Sequence, residues 1–185
     1  MLQKIQIYDN LILERDLFWI SKIAHSQTKK EKNMKKMRVV CRAIVLDEKQ
    51  ENLLLVRNKD TNFWYPPGGG WETGESLADC VIREILEETG LEATLDRFLY
   101  LQEFSPNSAE VYLEMFWLAY PKKNSVLPQV HSDHGGIVTE SRWFSKAELA
   151  SLKVFPERLK QQVWDDVKTL SLPNQFLTQK KGGEK

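Results

Sequence analysis

A mixed α/β (α+β) fold, a sheet flanked by helices, is what this sequence predicts, and three observations predict it. Strand-like stretches open the central region, one amphipathic helix interrupts them, more strands follow, and helices close the chain. Its 185 residues are enough for one domain with modest extensions and too few for two. Hydrophobic residues make up 42% and charged residues 28%, a balance that excludes a mostly disordered chain.

Residues 1–27 carry Phe18, Trp19, Ile20 and Ile23, and residues 13–25 have a loose helical period, so a strand or turn followed by a helix is expected there. Side chains this apolar do not stay wet, so the segment is expected to pack on its own domain or on a second subunit, a homodimer being favoured. The charged run TKKEKNMKK marks a solvated linker over 28–37. The main domain is expected over 38–178. Two strands, 38–47 and 52–58, flank a polar turn at 48–51. Residues 62–75, NFWYPPGGGWETGE, hold two prolines and four glycines and read as a shaped loop, neither helix nor regular strand. A helix over 76–89 follows from the apolar stripe Leu77, Ala78, Val81, Ile82, Ile85 and Leu86, with Gly90 as its stop. Strands at 93–104 and 110–120, a loop at 121–136, a last strand at 137–144 and helices at 146–152 and 156–170 complete the domain. Residues 179–185 are expected to fray.

Charge is balanced, 26 basic against 26 acidic residues, which gives no global attraction for duplex nucleic acid. Cys41 and Cys80 have no CxxC spacing and read as reduced core thiols. Charged residues interrupt every N-terminal apolar run and no stretch reaches membrane-spanning length, so a cytoplasmic protein without membrane contact is expected.

The chemistry centres on the helix. Glu84, Glu87 and Glu88 fall within an arc of roughly a hundred degrees on it, where like charges repel. One reading is a solvated acidic face. The other is a site for a hard cation, magnesium or manganese, which carboxylate oxygens suit. The flanking spacing weighs on this choice: Gly69, five residues, Glu75, seven residues, then Arg83, Glu84, Ile85, Leu86, Glu87, Glu88, Thr89, Gly90 and Leu91. This string is similar at every specified position to the Nudix box, G-x5-E-x7-R-E-U-x-E-E-x-G-U with U aliphatic. By average residue usage a chance match at a given register is on the order of one in a hundred million.

The chain therefore resembles the Nudix hydrolases over about residues 38–152, since WYPPGGGWETGE and TESRWFSKAEL also look like the loop before the box and the strand-to-helix segment that closes their fold. The resemblance implies a Nudix-like α/β/α sandwich with a mixed sheet and a divalent-metal-dependent pyrophosphohydrolase. By the same resemblance Glu84, Glu87 and Glu88 hold Mg2+ or Mn2+, and Arg83 orients them, supported by Glu75. Glu140 is implied as a further metal ligand or as the base that activates water, against the alternative of an exposed strand-end glutamate. Glu88, Glu103, Glu110 and Glu140 all remain candidates for the base. Gly68, Gly69 and Gly70 let the backbone approach a ligand, and Trp64, Tyr65 and Trp71 flank them as stacking platforms or as core, with Trp143 expected in the core. His131, Asp133 and His134 form a loop cluster that reads as solvent-facing or as a substrate lid. Pro106 stands where some ADP-ribose-cleaving members carry a proline. The substrate expected is thus a nucleotide-type small molecule, a nucleoside diphosphate linked to another moiety such as ADP-ribose or a nucleotide sugar. The alternatives are a nucleoside triphosphate or a non-catalytic nucleotide-sensing or protein-binding module.

Overall fold

A computed structural model describes residues 36–128, 136–168 and 175–180, the last stretch for its backbone only. The expectations for residues 1–35 (helix, linker and subunit contact) and for the cluster His131, Asp133 and His134 lie outside the described residues. The described residues from 37 onward belong to one compact unit.

Two long runs of β-branched and aliphatic residues lay down the centre of the sheet. Strand β1 (Lys36–Leu46) turns at Asp47 into β2 (Asn52–Asn58); the Asp47 carboxylate closes that turn by accepting from the backbone N–H groups of Glu51 and Asn52. Then come β3 (Trp64–Tyr65), β4 (Gly68–Gly70), α1 (Leu77–Thr89), β5 (Ala93–Asn107), β6 (Glu110–Pro121), β7 (Val138–Ser145), α2 (Lys146–Leu149), a 3-10 turn (Glu157–Lys160), α3 (Gln162–Asp166) and β8 (Gln175–Lys180). The eight-stranded sheet runs β3-β2-β1-β6-β5-β8, with β4 on β1 and β7 on β2. It is mixed: β8 runs parallel to β5, an isolated bridge pairs Trp64 with Val154 in parallel, and β1–β2, β1–β4, β2–β3, β2–β7 and β5–β6 pair antiparallel.

Both faces of β1 are covered. Ile44 and Leu46 join one buried cluster with Leu149, Leu159 and Trp164 of the C-terminal helical turns, while Cys41, Ala43 and Val45 join another with Cys80, Val81 and Ile85 of α1. A strand buried on both sides reads as a continuous apolar run, as VVCRAIVL nearly does. The break in that run is Arg42. Among the described residues no helix is long and apolar enough to cross a membrane.

Helix α1 starts with a reciprocal cap: Ser76 Oγ accepts from the Asp79 N–H at 3.1 Å and the Asp79 carboxylate accepts from the Ser76 N–H at 3.4 Å. Gly90 ends it in the left-handed conformation.

Four sequence expectations change. Residues 62–75 are not wholly loop, because β3 and β4 are short strands held by backbone ladders to β2 and β1, which need no side-chain pattern. The buried face of α1 is Cys80, Val81, Glu84, Ile85 and Thr89, with Leu86 left 46% exposed, so the helix is rotated from its apolar stripe toward the glycine strand. The helix expected over 156–170 breaks at Gln161, whose φ of −137° is not helical. The strand at 137–144 is not the last, for β8 follows, and its final two residues enter the stretch expected to fray.

Candidate active site

Three consecutive glycines set the geometry. β4 pairs with β1 as Val40 with Gly70, Cys41 with Gly69 and Arg42 with Gly68. A Cβ on Gly68 would fall 2.1 Å from the Cys41 carbonyl oxygen, and one on Gly69 would fall 2.5 Å from Glu84 Oε1, so bare backbone here is a steric requirement. The space beside Gly69 is filled by the carboxylate of Glu84, a residue only 8% exposed. Burial raises its pKa, and the adjacent Arg83 guanidinium opposes that rise.

Arg83 organises the cluster. Its Nε and Nη2 donate to the two oxygens of Glu75 at 3.0 and 2.8 Å, a two-pronged pairing that lowers the Glu75 carboxyl to about 2. Its Nη1 donates to Glu84 at 2.8 Å and, one helical turn on, to Glu87 at 3.1 Å. Nη2 also reaches the Gly70 carbonyl at 3.3 Å, tying α1 to β4. Glu88 accepts from the Gly68 N–H at 2.8 Å.

The glycines and the three helical glutamates, though not Glu75 or Arg83, wall a cleft of about 450 Å³. Gly68, Gly69, Gly70, Glu84, Glu87 and Glu88 form one side. Arg38, Val40 and Arg42, alternate residues of β1, form another with Tyr65 and Tyr112, and Val56, Ile137 and Val138 add an apolar part. Among the described residues no three carboxylate, imidazole or thiol groups converge to grip a metal ion. Arg83 stands between Glu84 and Glu87 and supplies the positive charge they need. The donor set still suits a hard divalent cation, being three carboxylates on adjacent turns of one helix, lining one cleft, with the glycine backbone drawn back to admit them.

Glu75, Arg83, Glu84, Glu87, Glu88 and the glycines are therefore brought together, and Tyr65 lines the same cleft. Trp64 is a correction. Expected to bind substrate, it is 8% exposed and packs edge-on against Phe144 with ring centroids 4.6 Å apart, because pairing with β2 turns Trp64 inward and its neighbour Tyr65 outward. Glu140 does not line the cleft; it lies exposed on β7, 3.4 Å from Arg57 Nη1, opposite a register shift at Arg57 and Asn58. Nor do Glu103 and Glu110 line it. Trp71 is exposed, its indole N–H donating to the Glu75 carbonyl at 2.9 Å, whereas Trp143 packs against the cluster beneath α1. Cys41 and Cys80 are buried free thiols with pKa values raised by burial.

Arg38, Arg42, Tyr112 and Glu114 are the cleft and under-cleft residues that the sequence reading missed. The available signal was two arginines four residues apart, hence on one face of a largely apolar strand, and a lone glutamate inside the apolar run VYLEMFWLAY.

The NUDIX domain model matches residues 36–164. The m7GpppN-mRNA hydrolase NUDT17 of Danio rerio is 32% identical over 133 residues, 67% of this chain and 40% of that protein. A putative 8-oxo-dGTP diphosphatase of Bacillus subtilis (strain 168) is 52% identical over 52 residues, 28% of this chain and 34% of that protein. The chain thus spans well under half the length of these curated relatives. Among solved structures, a UDP-X diphosphatase superposes with a TM-score of 0.58 at 21% identity, covering 85% of this chain and 74% of the other, a likeness of fold.

Proposed function

This chain belongs to the NUDIX family, and from that premise we propose that it is a divalent-metal-dependent pyrophosphohydrolase acting on a nucleoside diphosphate linked to another moiety, such as ADP-ribose or a nucleotide sugar. The observation that carries the reading is the cleft itself, with Glu84, Glu87 and Glu88 on one wall and Arg38 and Arg42 on another. Such a pairing of carboxylates with cations suits a substrate whose phosphates need both metal and guanidinium.

Glu84, Glu87 and Glu88 would hold Mg2+ or Mn2+. Bound there, the cation supplies Lewis-acid polarisation of a phosphoryl oxygen and eases deprotonation of water. Arg83 keeps Glu84 and Glu87 aimed at one place, and Glu75 keeps Arg83 in plane. Glu88 is the proposed base, since of the four candidates it is the one that lines the cleft, and Gly68 N–H fixes its orientation. It takes the proton from the water that attacks phosphorus, and the P–O–P bridge opens to two phosphorylated products. Glu140 is proposed in second place as a ligand or base, approaching the carboxylates only after parting from Arg57. Gly68 to Gly70 and Tyr65 would bind substrate, and a cytoplasmic site of action goes with the reading.

Similarity to a putative 8-oxo-dGTP diphosphatase supports a second reading, a nucleoside triphosphate pyrophosphohydrolase. A panel of nucleotide sugars, ADP-ribose, dinucleotides and nucleoside triphosphates, assayed with Mg2+ and then with excess EDTA, separates the two. The first reading expects a nucleoside monophosphate and a phosphorylated second moiety, formed only with the cation. Full turnover in EDTA would overturn the metal-dependent mechanism.

A further inference from the structure

We propose that Arg42 is a substrate-binding residue whose Nη2 donates to a phosphate oxygen of the substrate, on the group across the scissile bridge from the helical carboxylates. This rests on the reading above that the cleft takes a diphosphate.

The guanidinium is fixed on two of its three sides. Nε donates to Glu114 Oε1 at 2.9 Å, and Nη1 donates to the carbonyls of Pro66 at 3.2 Å and Gly68 at 3.3 Å. Glu114, 1% exposed on β6, is itself held by Gln102, whose Nε2 donates to its other oxygen at 3.3 Å. The third side differs. Among the described residues Nη2 has no hydrogen-bond partner, it is not fully buried, and Arg42 lines the cleft. The guanidinium plane thus presents one edge of fixed direction to the space that Glu84, Glu87 and Glu88 also face.

Stability gives little reason for such a group. A buried ion pair pays for the desolvation of two charges, and apolar side chains of similar volume serve a core as well or better. A planar donor locked before the substrate arrives is, by contrast, what recognition of a phosphate needs. Arg83 does not fill the role, because its Nε, Nη1 and Nη2 all donate to carboxylates or the Gly70 carbonyl. Arg38, four residues earlier on the same face of β1, lies over the Tyr112 ring at 5.6 Å and adds positive charge at the cleft mouth.

The test compares wild type with Arg42→Lys and Arg42→Gln by calorimetry, using a methylene-bridged ADP analogue as probe, with Mg2+ and with EDTA. The expected result is at least tenfold weaker binding for Arg42→Lys, which keeps the charge and loses the fork, and a larger loss for Arg42→Gln. Melting temperature and near-ultraviolet circular dichroism establish that each variant is folded. If either variant fails to fold, nuclear magnetic resonance of the Arg42 guanidinium in the wild-type protein decides: a shift on adding the analogue is expected, and none overturns the proposal. A folded Arg42→Gln that binds within twofold of wild type overturns it while leaving the hydrolase reading intact. Absence of turnover by wild type across the nucleotide panel would overturn the hydrolase reading, and this proposal with it.

Discussion

Glu87 is where a single atom change tests most. Replacing it by Gln keeps volume and removes the charge a cation needs, so turnover at saturating Mg2+ is expected to fall by roughly two to four powers of ten with the melting temperature little changed. Activity within twofold of wild type would contradict its assignment as a ligand. Glu75 makes a prediction of a different kind. Its carboxyl is lowered to about 2 from an ordinary 4.5 by Arg83, so the stability it contributes is present above pH 4.5 and is lost as pH falls toward 2. Glu84, raised by burial, has the opposite sign: its contribution is full below its ordinary value and fades as pH rises through the raised one. The melting-temperature gap between wild type and Glu75→Gln, measured in EDTA, is therefore expected to be widest above pH 4.5 and to narrow toward pH 2. A gap that widens on acidification would show that Glu75 is not held by Arg83.

Among the elements, α1 was legible and β4 was not. The helix announced itself through an apolar stripe, a terminal glycine and a carboxylate cluster, all local in sequence, and the structure adds the Ser76–Asp79 cap at its start. Ser76→Ala should cost about 1 kcal/mol by chemical denaturation, the usual worth of such a cap. Glycines, however, carry no hydrophobic period, so the ladder between β4 and β1 could not be read from them. The same blindness hid Trp64: two adjacent aromatics look alike until pairing with β2 sends one to the core and the other to the cleft. Arg42 and Glu114 lie 72 residues apart, and nothing local ties them. Gly69→Ala tests β4 directly. The new Cβ would fall 2.5 Å from Glu84 Oε1 and 2.6 Å from its other oxygen, so the carboxylate must move. Turnover is expected to drop at least tenfold while the circular dichroism spectrum stays that of wild type; unchanged turnover would mean that the Glu84 position is not critical.

At the scale of the whole molecule, the proposed homodimer depends on residues 1–27, whose Phe18, Trp19, Ile20 and Ile23 need a cover. Light scattering at micromolar concentration should give twice the chain mass for the full chain and a single chain mass after deletion of those residues. A monomeric full chain would leave the segment to its own domain. The cleft, the glycine strand and the paired carboxylates all converge on one claim, that this chain opens a P–O–P bridge with a divalent cation held by Glu84, Glu87 and Glu88. The most direct measurement is hydrolysis of ADP-ribose and nucleotide sugars by the full chain, with products separated by chromatography, across a titration of Mg2+ into EDTA-treated protein. The account predicts no products without the cation, a nucleoside monophosphate and a phosphorylated partner once it is restored, and no restoration in Glu87→Gln. Products formed at the same rate in excess EDTA, or formed equally by Glu87→Gln, would contradict it.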